Sequence, residues 1–304
     1  MFCVCTNNYK YSNSQHVNFN IFGENPINIK MLKKLILILL TFYMFPALSQ
    51  EKEKQAILAE AKLLYNSERT SWHGTDIFMA KFPEKKDKIG GYFSYSVGKL
   101  HTCLFFDKDP SPNVLATIAF NDSFVVEAAE VNSNNRKLNT LETDYYTIRQ
   151  KALALAQNDT LFKVYNNTNL NFIPVVAGSS KKVYVLTGPS VTGVVVFGND
   201  YLIEFDKKNN IISKKALHKN IIPINYADSE NEIATMHSHL PETGEFITAT
   251  DVCTLMLYSQ YTHWSQHYVL SKKYVSIWDC NKESLVVLTT EAWEKIADQQ
   301  EGKK

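Results

Sequence analysis

The chain has almost no net charge. Lys+Arg number 32 against Asp+Glu 31, a formal charge of +1. Without a basic excess there is no electrostatic footprint for nucleic acid, and that class of partner is excluded. Cysteine is scarce. Of 5 in the sequence, only Cys103, Cys253 and Cys280 follow residue 50. That is no disulfide framework, although one pair plus a free thiol stays open. No G-x-G-x-x-G or P-loop spacing occurs; Gly188-Pro189 and Gly198-Asn199-Asp200 read as turns instead. Internal repeats and low-complexity tracts are absent after residue 50. The 45% hydrophobic and 21% charged fractions exclude a largely disordered chain and a multi-span membrane protein.

One apolar run stands out, Leu35 to Phe45. Lys33 and Lys34 precede it, and Ala47 and Ser49 place small residues at a cleavage site. This is the pattern of a signal peptide over residues 31–49. Met31 then reads as the true start, with the polar, Asn-rich residues 1–30 as a spurious extension. Cleavage after Ser49 predicts a secreted or periplasmic protein with no stable membrane span. An uncleaved anchor is the other reading.

Beyond residue 50 the predicted elements are helical at 51–68, strand-rich from Gly90 to Asp122, and helical again at 142–157. Residues 128–141 read as a polar loop. This part, 50–160, is expected to form an accessory subdomain. Residues 161–304 carry short β-rich segments, a helix within ITATDVCTLMLYSQY, three closing strands and a terminal helix. The fold class is α+β, a mixed or antiparallel sheet flanked by helices.

The chemistry concentrates in His237-Ser238-His239 and Thr248-Ala249-Thr250-Asp251. Residues i and i+2 of a strand share a face, so His237 and His239 would present two imidazoles together. A loop and a helix start can fold Asp251 back onto them. Two nitrogens and one oxygen make a catalytic zinc set with an open fourth position for water.

This stretch, MHSHLPETGEFITATDVCTL, resembles the signature of the JAMM (JAB/MPN-type) zinc metallopeptidases, over roughly residues 190–290. The resemblance implies Zn²⁺ held by His237, His239 and Asp251. It puts Thr248 in the place of the family's oxyanion-stabilising serine. It asks for an upstream glutamate as general base, and Glu204 in DYLIEFD is the candidate. It implies a peptide or protein substrate and hydrolysis of an amide or isopeptide bond. A non-catalytic exported module with the same fold is the alternative.

A simpler reading covers part of the motif. Thr248-x-x-Asp251 is also a capping box, which by itself accounts for both residues. His237 and His239 would then be ordinary strand histidines. His263 and His267, at i,i+4, would suit a metal pair only on a helix, and no Glu follows His263 to make H-E-x-x-H. His218, among lysines, reads as exposed, with a place beside the site as the other possibility.

Overall fold

The computed structural model describes residues 29–226 and 234–301, with side chains from residue 49 to 226 and 234 to 299. Residues 1–28 of the expected extension lie outside the described residues. The chain divides into two units, Met1–Gln50 and Glu51–Lys304. The first contributes only the beginning of helix α1 (Ile29–Lys81). Among the described residues, no helix is long and apolar enough to cross a membrane.

Within the second unit, α1 continues well past residue 68, where its sequence periodicity fades. Ala61, Leu64 and Phe78 are fully buried along it, each against a different cluster of core residues. Gly74 permits the close approach: a Cβ there would stand 2.5 Å from Cys103 Cβ. The helix runs on because its second half has a sheet to cover.

That sheet comprises β1 (Ile89–Val97), β2 (Leu100–Asp107), β3 (Asn113–Asn121) and β4 (Glu130–Asn132), with β5 (Arg136–Lys137) also on β3; all pairs are antiparallel. The last two strands lie in the stretch expected as loop. They carry no apolar alternation and form through backbone pairing with β3, which hydropathy cannot register. Helix α2 (Thr140–Asn158) follows, opened by a capping box between Asn139 and Glu142. Its Ile148 and Ala152 pack on Val183, Val185 and Ile203.

These last belong to a second antiparallel sheet. Its members are β6 (Thr168–Ala177), β7 (Ser180–Pro189), β9 (Tyr201–Phe205) and β10 (Ile211–Ala216), ordered β10-β9-β7-β6. Between them in sequence, β8 (Val194–Gly198) pairs antiparallel with β11 (Ile221–Asn225).

The third part is a mixed sheet of β12 (Ala234–Ser238), β13 (Gln266–Leu270), β14 (Tyr274–Asp279) and β15 (Ser284–Thr289). β12 and β13 run parallel, so a crossover must join them, and α3 (Ala249–Tyr258) lies within it. Helix α4 (Thr290–Glu301) ends the described chain. Val252, Leu255, Trp264 and Trp278 fill this region's core together with Val195 and Phe197 from β8. The architecture is α+β with antiparallel and mixed sheets. Cys103 and Cys253 are buried, Cys280 is partly so, and all three are free thiols.

Candidate metal centre

Strand β12 alternates strictly: Ala234, Met236 and Ser238 are exposed, whereas Thr235 and His237 are buried. His239, next on the same face, is buried too. The parallel register sets Thr235 opposite His267 of β13. A hydrogen-bonded row follows: Thr235 Oγ1 lies 2.7 Å from His267 Nδ1, and His267 Nε2 lies 2.9 Å from His237 Nδ1. His237 Nε2 lies 3.1 Å from His239 Nε2. Phe197 stacks on His267 at 4.8 Å between ring centroids and closes this side against water.

The loop after His239 is anchored on β14 and the turn before it. Glu245 accepts from the Ser271 hydroxyl and the Lys273 amide, and the Ile247 amide donates to Ser276 Oγ. These bonds fix the start of α3. There Thr248 and Asp251 form the capping box: the Asp251 amide donates to Thr248 Oγ1, and the Thr248 amide donates to Asp251 Oδ2 at 2.9 Å. Capping does not use up the carboxylate. Its Oδ2 lies 3.3 Å from His239 Nε2; its Oδ1 lies 3.8 Å from His237 Nε2 and 3.4 Å from His218 Nε2. Asp251 Oδ1 is buried and accepts no hydrogen bond.

His218 is buried rather than exposed. A tight turn brings it in. Gly198 and Asn199 both have positive φ, 81° and 57°. A Cβ on Gly198 would lie 2.2 Å from the Asn220 carbonyl oxygen, so the turn requires glycine there. The Asn199 amide donates to Asn220 O and the Leu217 amide to Asp200 O, docking the segment around His218 onto the turn. Asp200, held by the Thr187 amide at 2.9 Å, then sits 3.4 Å from His218 Nδ1. That contact is one of charge, since His218 Nδ1 lacks a well-formed hydrogen bond.

Electrostatics divide the imidazoles. Burial alone would lower the His218 pKa, but Asp251 and Asp200 outweigh it and hold it up at about 10. Burial lowers His237 to about 4 and His267 to about 3, so both are neutral at pH 7. Burial would raise Asp251, yet the histidines, His218 foremost, keep it well below the usual carboxylate range. Burial pushes Asp200 up.

Each of His218, His239 and Asp251 offers a ligand atom within 4.8 Å of the others, and this buried group could hold a metal ion. His237 adjoins it through His239 and Asp251. Bonds of about 2.0–2.1 Å to a tetrahedral Zn²⁺ imply ligand atoms about 3.3 Å apart. Four recorded separations, 3.1 to 3.8 Å, lie near that value, those to Asp251 running from both of its carboxylate oxygens. A cation would also give a direct partner to Asp251 Oδ1, which has charge contacts with His218 and His237 but no hydrogen bond.

Of the residues expected from sequence, His237, His239, Thr248 and Asp251 come together. Glu204 does not join them: on β9 it accepts from Ser213 Oγ at 2.6 Å, and no contact among the described residues links it to the histidines. Four residues earlier, Asp200 is the acid of that segment that reaches the cluster. His263 and His267 do not form a helical pair. His263 is exposed in a loop, whereas His267 lies in β13 as a partner of His237. Comparison with known proteins finds no matching family model, no similar curated protein and no similar solved structure.

Proposed function

We propose that the chain is an exported zinc-dependent hydrolase of amide or isopeptide bonds in peptide or protein substrates, as its likeness to the JAMM metallopeptidases implies. The observation that carries this is Asp251: a buried carboxylate whose Oδ1 accepts no well-formed hydrogen bond, with three imidazole nitrogens 3.3 to 3.8 Å from its two oxygens. Export is supported by the Lys33 to Ser49 pattern, whose expected cleavage point lies one residue from the boundary between the two units.

His237, His239 and Asp251 would hold the ion. When bound, zinc lowers the pKa of a coordinated water towards about 7 and polarises a substrate carbonyl. The chain's own residues divide the remaining work. His267 and Thr235 fix the tautomer of His237: with Nδ1 donating along that row, its Nε2 lone pair faces the cluster. Thr248 Oγ1 donates to Asp251 Oδ2 at 2.7 Å and keeps that oxygen in place. With Glu204 elsewhere, proton transfer falls to His218, which Asp200 orients from behind. An acid–imidazole pair of this kind accepts and returns a proton near neutral pH once a cation offsets the Asp251 charge.

A second reading rests on the same His218. Its Nε2 is near enough to Asp251 to complete a shell of four protein ligands, and a closed shell marks a structural site. The chain would then be a non-catalytic, metal-holding exported module. The deciding experiment follows hydrolysis of fluorogenic peptide and isopeptide substrates by zinc-loaded wild type and His218→Ala. The hydrolase reading expects chelator-sensitive turnover that falls at least about 100-fold in the variant while zinc is retained. Loss of zinc from the variant, with no turnover by wild type, supports the closed site.

A further inference from the structure

Against the later turns of α3, where Thr254, Leu257 and Tyr258 lie, is a cavity of about 470 Å³, within the range of small-molecule sites. It is bounded by α1, β1, β6 and α3, and none of the cation-cluster histidines lines it. Three charged side chains line it, Glu68 and the more exposed Asp76 from α1 and Arg149 from α2. Glu68 and Arg149 are close enough to feel each other electrostatically, yet no ion pair joins them among the described residues. Glu68 receives one hydrogen bond, from Asn171 Nδ2 at 3.3 Å. The Arg149 guanidinium sits over the Tyr92 ring, 5.9 Å from its centroid, with no hydrogen bond or ion pair among the described residues. Its donors therefore remain free. Trp72 and Tyr258 add aromatic wall.

Uncompensated charge in such surroundings is costly. Burial pushes Glu68 up to about 7 and lowers Arg149. A fold gains little by holding an acid and a base apart across a cavity unless a third molecule bridges them. The bridging molecule needs a planar anion for the guanidinium fork and a cationic donor for the carboxyl.

We propose that this cavity binds a small zwitterion of the α-amino-acid class, free or as a short peptide. Its carboxylate meets Arg149, its ammonium meets Glu68, and an apolar side chain lies against Trp72 and Tyr92. The site uses none of the proposed cation ligands, so it stands or falls without the hydrolase reading.

The test is calorimetric titration of the metal-stripped full chain with L-phenylalanine, with the dipeptide Ala-Phe, and with two analogues: 3-phenylpropionate, which lacks the ammonium, and phenethylamine, which lacks the carboxylate. Saturable binding of either zwitterion, at least about tenfold tighter than both analogues, is expected. Whichever zwitterion binds more tightly tells a free amino acid from a peptide. Arg149→Gln should weaken the zwitterions and 3-phenylpropionate but not phenethylamine; Glu68→Gln should do the reverse. Circular dichroism checks the fold of each variant, and the analogue comparison on wild type does not depend on either. No binding of either zwitterion at millimolar concentration, or equal binding of all four probes, overturns the proposal.

Discussion

Thr248 and Asp251 bond each other at the head of α3, and the same Asp251 carboxylate turns its Oδ1 towards His218, 3.4 Å away. Helix capping and a place in the histidine cluster are therefore joint roles of one side chain. The cap holds the carboxylate still, so little rotamer freedom remains to be lost when a cation is bound.

The two roles separate under substitution. Asp251→Asn keeps an oxygen for the Thr248 amide but removes the charge; α3 should persist while divalent-metal binding is abolished. Asp251→Ala removes both and leaves His218 without its stronger partner, at a cost of about 3–5 kcal/mol. Thr248→Ala should cost about 1 kcal/mol, as for a lost N-cap. Chemical denaturation of the metal-free variants ranks the three.

Metal uptake should release a proton if His218 enters the shell. Its pKa near 10 means that it carries a proton at neutral pH, which a ligand must give up. Titration calorimetry in buffers of different ionisation enthalpy measures the release. Release at pH 7 is expected in wild type; release that survives in His218→Ala comes from the coordinated water, as the hydrolase reading requires, whereas loss of both zinc uptake and release in that variant places His218 among the ligands.

His267 should act through His237. Replacing it with Ala removes the acceptor that fixes the His237 tautomer, and zinc affinity should fall about 10–100-fold with the ligands themselves intact. His267→Gln keeps a hydrogen-bonding group near Nδ1 of His237 and should recover part of the loss. Competition with a chromogenic chelator reads both.

Stability of the metal-free chain should fall on acidification. His237 and His267 are held neutral, with folded pKa values of about 4 and about 3, whereas the unfolded chain protonates them near 6.5. As pH drops below about 6.5 the unfolded state binds the additional protons, and stability declines until the folded pKa values are reached. Asp251, depressed in the fold, adds to the loss below about pH 4. His218 runs the other way: its contribution is full below about 6.5 and disappears as pH rises through about 10. Melting temperature against pH from 3 to 7 should slope upward, and His267→Gln should flatten it.

The parts of the cluster legible in the sequence are those set by local geometry. His237 and His239 follow from strand alternation, and Thr248 and Asp251 from one turn of helix. What the sequence hid depends on long-range placement. His218 is flanked by exposed lysines that mask its burial, and only the turn at Gly198 folds it inward. His267 reaches His237 through the parallel register of β12 and β13, which no spacing reveals. Glu204 looked suitable as an acid on a strand, but it lies along β9 from the turn, beside Ser213, whereas Asp200 at the turn itself faces His218.

The central claim is that these side chains grip one divalent cation. The direct measurement is elemental analysis of chain purified without chelator and dialysed at neutral pH. One zinc per chain in wild type, lost in both His239→Ala and Asp251→Asn, is the predicted result. Substoichiometric metal in a folded wild type, or full retention by either variant, would contradict it.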